Sequence, residues 1–276
     1  MTAVAELTEE FVDAGGIRTR YLEAGSGDQT VVLLHGSGPG VSAWANWRLT
    51  IPALAERYRV LAPEMVGYGA SRGPADIRYG VSTWVDHMLA FLDAVGVRRA
   101  SFVGNSMGGL VGLHIAIREP QRMERLVLMG APGIGMHPTA GLDAVRNYQP
   151  SPENMRELLT RWFAHDPSII TDDLVRARYE ASAAGDTHEI YHAMFHDPRH
   201  AGNDLALTED AVRGVTVPTL LIHGLDDKVV PVEVSWRMTG LLPDAQLHVF
   251  GRCGHWTQIE RAPQFSRLVA EFLGES

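Results

Sequence analysis

Hydrophobic and polar positions along this chain follow two different periods. The opening "FVDAGGIRTRYLEAG" alternates apolar and polar residues around Gly15-Gly16, the pattern of a β-hairpin. Short apolar runs then predict strands at Val31–His35, Tyr58–Ala62, Ala100–Gly104, Arg125–Met129, Thr219–His223 and Gln246–Phe250. Helical spacing predicts wholly or partly helical segments at Ile51–Glu56, Thr83–Val95, Leu110–Arg118, Val232–Leu242 and Pro263–Leu273. Strands that alternate with helices imply βαβ crossovers and a mostly parallel sheet. The unbroken run "TVVLLH" suits a strand covered on both faces.

The alternation fails between about Gly133 and Asp210, where only helical segments are expected, at Pro152–His165, Thr171–Ala183 and His188–Phe195. "TVPTLLIHG" then resumes the sheet pattern. A helical insertion between two parallel strands is the natural place for a lid over a site. The expected division is therefore a core from 1–135 and 210–276, with a helical lid at 136–209. The fold class is α/β, a mostly parallel central sheet flanked by helices. The chain carries no internal repeat and no low-complexity segment.

Composition narrows the function. The 276 residues are 45% hydrophobic and 21% charged, which is ordinary for a globular enzyme. A formal charge of −9 argues against nucleic-acid or anionic-membrane partners, which favour basic patches. It leaves anionic small substrates open, because one well-placed arginine can outweigh the global field. Lys228 is the only lysine among 24 basic residues, so arginine is common and no single one is conspicuous. The start "MTAVAELTEEFVDAGG" lacks a basic and apolar leader pattern, and no apolar run reaches the roughly 18 residues of a membrane span. A cytoplasmic location is the expectation. Cys253 is the sole cysteine, which excludes a disulfide framework and a cysteine metal cluster.

Candidate chemistry centres on "SFVGNSMGGL". Gly104-Asn105-Ser106-Met107-Gly108 fits G-x-S-x-G between a strand and a helix, where a sharp turn forces the serine into strained geometry. Glycine on either side removes the clash and leaves the hydroxyl proud of the helix start. Ser106 is the candidate nucleophile, and the alternative is a tight turn capped by serine. Of 12 histidines, His255 in "HVFGRCGHWTQIE" sits on a glycine-flanked loop after a strand. Asp226 and Asp227 occupy the loop after the preceding strand, in "LLIHGLDDKVVP". All these loops leave the carboxyl edge of a parallel sheet, and the order Ser, Asp, His is that of an α/β-hydrolase. Asp227, three residues past Gly224, is preferred over Asp226 as the partner of His255. Oxyanion donors are assigned to the N–H groups of Met107 and Ser37, the latter in "LLHGSGPGVSAW", with Gly38 as the alternative. A phosphate-loop reading of that run fails because no lysine follows it, and "GSGPG" does not match a dinucleotide fingerprint.

The stretches "HGSGPGVSAWANWRLTIPALAERYRVLAPEMVGYG", "GNSMGG", "LVLMGAPG" and "QLHVFGRCGHWTQIE" together resemble one family. The chain is similar to the meta-cleavage product hydrolases, α/β-hydrolases with a helical lid that hydrolyse carbon–carbon bonds in bacterial aromatic-ring degradation. The likeness is to the branch acting on 2-hydroxymuconic semialdehyde and related 6-alkyl compounds. It spans nearly the whole chain and is weakest in the inserted helices. It implies C5–C6 cleavage of a 2-hydroxy-6-oxohexa-2,4-dienoate without a cofactor or metal, in a self-associating protein. It also implies that Asn46, Asn105, Arg178 and Trp256, with Gly38, hold the carboxylate and C2-oxygen end of the substrate. Arg178 suits that end because its fork donates two parallel hydrogen bonds. One departure is Glu64 in "APEMVGYG", where the family has aspartate, and a structural role is expected for it. The rival readings are a general carboxylesterase and a catalytically silent ligand-binding member of the fold.

Three further features are set aside. His188, His192, His196 and His200 recur at four-residue spacing, but Pro198 breaks the helix before the fourth, and no H-E-x-x-H pattern accompanies them. Cys253 reads as a packed residue. Met107, Met129, Met136 and Met194 read as core filling rather than an adaptable pocket.

Overall fold

Residues 7–200 and 206–275 are described by a computed structural model. Residues 1–6, where the leader reading begins, and 201–205, within the expected lid, lie outside the described residues. Eight strands form one sheet: β1 (Leu7–Asp13), β2 (Arg18–Ala24), β3 (Thr30–Leu34), β4 (Arg59–Pro63), β5 (Ala100–Asn105), β6 (Met123–Met129), β7 (Thr219–Gly224) and β8 (Ala245–Phe250). Their order is β1-β2-β4-β3-β5-β6-β7-β8, parallel from β4 onward, with the opening hairpin β1–β2 added antiparallel. This is the mostly parallel sheet expected from the alternation.

Alternate residues of the central strands feed two separate cores, as the period of a strand requires. Val31 and Leu33 join one cluster with Trp47, Leu54, Phe265 and Phe272, whereas Val32 and Leu34 join the other with Phe91, Val111 and Leu113. On the first face lie α1 (Ala43–Trp47), α2 (Ile51–Ala55) and α12 (Ala262–Leu273). On the second lie α3 (Val81–Ala94), α4 (Met107–Arg118) and α10 (Val232–Thr239). Chain order reverses between β3 and β5, so the loops leaving their carboxyl ends diverge and open a crevice there.

Between β6 and β7 the described residues are helical or irregular. The helices are α5 (Ala140–Arg146), α6 (Pro152–Glu157), α7 (Asp172–Ala183), α8 (Thr187–His196) and α9 (Glu209–Arg213). Thr139, Ser151, Thr171 and Thr208 cap four of them with their hydroxyls, a signal present in the sequence but unused in predicting them. Pro152–His165 is not one helix as expected. After Glu157 the coil widens into a π-helical turn, Leu158–Phe163, and Ala164 then runs extended. Short α1, α5, α9 and α11 (Thr257–Glu260) were not predicted, because four to seven residues carry too little periodicity.

Glu64 is buried and structural. Its carboxylate accepts from Arg20 Nη1 at 2.9 Å and from the Ala70 amide at 2.7 Å, tying β4 to β2 and to the following loop. On α8 the rings of His188, His192 and His196 follow one another along one face, tilted, with centroids 6.2 and 4.3 Å apart. His200 lies past the helix end, facing the Tyr79 amide. Among the described residues no group of three or more ligating side chains is arranged to hold a metal. Nor is any helix there long and apolar enough to cross a membrane.

Two buried histidines give the fold an acid weakness. His87 Nδ1 accepts the Val66 N–H at 3.1 Å, so its other nitrogen carries the proton, 2.7 Å from Thr19 Oγ1. His35 Nε2 likewise accepts the Met65 N–H at 3.0 Å, and its Nδ1 donates to Gly36 O at 2.7 Å. Burial pushes both down to about 4 from an ordinary 6.5. The unfolded chain therefore protonates first as pH falls. This contribution is complete above pH 6.5 and disappears as pH drops towards 4. Between pH 7 and pH 5 each histidine should remove about 2 kcal/mol of unfolding free energy. Urea melts at the two pH values test this; equal midpoints with equal slopes would refute it.

Candidate active site

Ser106 adopts φ 52°, ψ −118°, one of two non-glycine residues with positive φ among those described. The strain is that of a strand turning directly into a helix, from β5 into α4. A Cβ on Gly104 would come within 2.5 Å of the Gly108 backbone, and one on Gly108 within 2.3 Å of Leu34 O, so only glycine fits beside the turn. Ser106 occupies the N-cap position of α4, yet its hydroxyl makes no cap hydrogen bond. That disposes of the capping alternative. Met107 is the first residue of α4, and a first-turn amide has no acceptor within its own helix.

Two strands away, the loop after β7 carries Asp227, whose side chain is fully buried. Oδ1 accepts the amides of Val229 at 2.8 Å and Val230 at 2.9 Å, while Oδ2 faces His255 Nδ1 at 2.7 Å. Burial opposes its ionisation, but the imidazole of His255 and hydrogen bonds from His223 and His255 outweigh burial and hold the carboxyl below its usual range. Asp227 keeps its charge, Nδ1 of His255 keeps its proton, and Nε2 is left as the basic nitrogen. Asp226 instead pairs with His165 Nδ1 at 3.0 Å, so of the two adjacent acids it is Asp227 that meets His255.

One narrow cleft brings most of the predicted residues together; Met107 and Asp227 are not among its lining residues, Asp227 standing behind His255. Gly36, Ser37, Gly38, Asn46, Asn105, Ser106, Arg178, His255 and Trp256 line it, and Leu142, Val145, Phe163 and Val229 supply apolar wall. No hydrogen bond joins Ser106 to His255 among the described residues, although both border the cleft. Such contacts are often long without substrate and tighten in the complex. Cys253 is no competing nucleophile, since burial, aided by the charge of Glu260, pushes its thiol up to about 12.

Arg178, on α7, is buried at 5% exposure and reaches the same cleft. Its Nη2 donates to Pro39 O at 2.8 Å, its guanidinium stands 5.6 Å from the Trp256 ring centre, and its Nε has no partner. Among the described residues no carboxylate lies within ion-pair distance of it. Burial draws its pKa down to about 10. Asn46 is similarly short of a partner: its Nδ2 is buried and unbonded. Asn105 Nδ2 holds Met129 O at 3.4 Å, so Asn105 ties the turn to β6 as well as bordering the cleft. Neighbouring Arg176 is exposed and pairs with Asp173.

Two residues escaped the sequence reading. His223 is fully buried behind Asp227; its Nε2 faces Val230 O at 2.8 Å and Asp227 Oδ2 at 3.3 Å, and its Nδ1 faces Ser235 Oγ at 2.7 Å. Nε2 faces two acceptors and must carry the proton, so His223 is a second donor to Asp227. The available signal was the repeated pair His-Gly closing β3 and β7. Phe163, in the π-helical turn, packs edge-on against His255 at 5.4 Å, while its carbonyl accepts the His255 N–H at 2.7 Å. A local widening of a helix leaves no periodic mark to read.

The model of the alpha/beta hydrolase fold matches residues 29–262. The chain is 48% identical over 274 residues to a 2-hydroxy-6-oxo-2,4-heptadienoate hydrolase of Pseudomonas putida strain F1, covering 99% of each. It is 48% identical over 272 residues to a 2-hydroxymuconate semialdehyde hydrolase of Pseudomonas sp. strain CF600, covering 98% of this chain and 95% of the relative. A solved meta-cleavage product hydrolase from Pseudomonas fluorescens IP01, complexed with acetates, superposes with a TM-score of 0.91 at 49% identity. The superposition covers 96% of this chain and 97% of that one.

Proposed function

The chain belongs to the meta-cleavage product hydrolases of the α/β-hydrolase fold, and on that premise we propose that Ser106, His255 and Asp227 cleave C5–C6 of a 2-hydroxy-6-oxohexa-2,4-dienoate. The observation that carries the substrate class is Arg178. A buried guanidinium without a carboxylate partner is costly to keep, and an anionic substrate would supply the missing charge. Asn46, with its unbonded amide, would complete that end together with Asn105, Gly38 and Trp256. An ordinary ester carries no carboxylate there, which favours this reading over a general esterase.

The chemistry follows from where electrons can go. Direct cleavage of the dienol would expel an unstabilised carbanion, so the 2-hydroxyl proton first moves to C5 and leaves a C2 ketone. His255 Nε2 takes the Ser106 proton, and Oγ attacks C6 while the amides of Ser37 and Met107 receive the oxyanion. The C5–C6 bond then breaks, its electrons reach the C2 oxygen through the C3–C4 double bond, and the imidazolium of His255 gives up the serine proton to the departing dienolate, which leaves the imidazole neutral again. Water activated by His255 releases a carboxylic acid, beside 2-hydroxypenta-2,4-dienoate. Asp227 holds the imidazole throughout. The route needs no cofactor. On the same reading the enzyme is cytoplasmic and self-associating, with residues 136–209 as its lid.

The cleft also favours a small C6 group. Leu142, Val145, Phe163 and Val229 wall its apolar side, and the Phe163 ring packs on His255 at 5.4 Å and on Trp256 at 4.9 Å, so side chains already fill that wall. C6 hydrogen and methyl substrates should exceed the phenyl analogue in kcat/KM by about 10- to 100-fold, the cost of overpacking a close-fitting wall. A panel followed by loss of the dienoate chromophore checks this. Equal rates across the panel would reject the size argument, and no product from any member would reject the assigned reaction.

A further inference from the structure

One carboxylate outside the cleft ties the lid to the turn that carries His255. Glu260, the last residue of α11, is half-buried and accepts from three backbone amides. Its Oε1 holds the Gly254 N–H at 2.7 Å, immediately before the catalytic histidine. Its Oε2 holds the amides of His165 at 2.9 Å and Asp166 at 3.3 Å, in the extended strap that follows the π-helical turn. The strap passes so close that a Cβ on Gly254 would stand 2.4 Å from Phe163 O and 2.9 Å from the His165 amide. Phe163 O in turn accepts the His255 N–H.

The position of the histidine is thus set by groups on both sides of one backbone crossing. Asp227 fixes the ring at Nδ1, but nothing in that bond fixes the depth of the turn relative to Ser106. The amides of Gly254 and His255 do, the first through Glu260 and the second through Phe163. A carboxylate suits the junction because it offers two acceptor oxygens to donors that converge from two segments. A carboxamide offers one, and its NH₂ would meet an N–H on the other side.

We propose that Glu260 is a positioning residue, which seats the His255 turn against the lid strap and so sets the approach of the imidazole to Ser106. This rests on His255 being the base of the reaction but not on the identity of the substrate.

The test compares Glu260→Gln and Glu260→Ala with the wild-type chain in two assays. One is steady-state turnover of the dienoate, expressed per site titrated by a fluorophosphonate. The other is the rate constant of that labelling at Ser106, which also needs His255 to take the serine proton. For Glu260→Gln both kcat and the labelling rate should fall about tenfold, with KM within about twofold, as for a small misplacement of a catalytic group. Glu260→Ala should lose more in both. Counting titrated sites removes any effect of unfolded protein, and if the alanine variant does not fold, the isosteric glutamine variant decides the question. A lowered Tm with unchanged kcat and labelling would make Glu260 a structural tie and overturn the proposal. A rise in KM alone would do the same, by confining the residue to lid closure. If the wild-type chain itself failed to label at Ser106, the assignment of His255 as base would fall, and the role of Glu260 with it.

Discussion

Ser106→Ala should bind a 2-hydroxy-6-oxohexa-2,4-dienoate with near wild-type affinity and cleave it about 10⁴- to 10⁶-fold more slowly. Affinity survives because the groups assigned to the anionic end, Arg178, Asn46 and Trp256, keep their places around the cleft. Turnover fails because His255, held by Asp227, has no serine hydroxyl to deprotonate. The strained φ of 52° also becomes idle, since an alanine there bears the backbone cost without the hydroxyl that the turn presents. His255→Ala should cost a comparable factor, and the double variant little more than either single, because the residues act as one unit. Single-turnover absorbance gives the rate, and calorimetric titration of Ser106→Ala gives the affinity. Retention of more than about a hundredth of wild-type turnover in Ser106→Ala would mean that water attacks C6 without the serine.

The parts of this molecule that could be read from the sequence are those whose physics is local. Apolar runs placed the parallel strands to within two residues, and for central β3, β5 and β7 that is because burial on both faces leaves no solvent-facing position to blur them. Ser106 was legible because a strand-to-helix turn restricts its own neighbours. Asp227 and His255 were legible because parallel topology sends both loops to one edge. Arg178 is a different case. With arginine so common here, neither spacing nor composition singled it out; only the family resemblance did. Its burial depends on how α7 lies over Gly38 and Pro39, some 140 residues earlier in the chain. Glu260 was hidden for the same reason: two of the amides it holds, His165 and Asp166, lie 95 and 94 residues away, and a backbone amide looks alike in every residue.

Arg178→Met should separate two activities that a shared triad would otherwise keep together. For the dienoate, kcat/KM should fall about 10²- to 10³-fold, the loss expected when a charge-assisted, bidentate contact to a carboxylate disappears. For a neutral p-nitrophenyl ester it should change by less than about threefold, since that substrate brings no anion to the lid. Arg178→Lys should not restore the loss, because an ammonium lacks the planar fork that matches a carboxylate and the oxygen beside it. Stability supplies an independent sign. A guanidinium buried without a counter-charge, its Nε unbonded and its pKa drawn down to about 10, works against folding. Methionine leaves Pro39 O without its donor, at a cost of about 1 kcal/mol, but relieves the unpaired charge. The Tm of Arg178→Met should therefore match or exceed that of wild type while dienoate turnover collapses, the pattern of a residue kept for ligand rather than fold. Equal losses on dienoate and ester, or a Tm lowered by several degrees, would make Arg178 a support for the lid and remove the anion from the substrate.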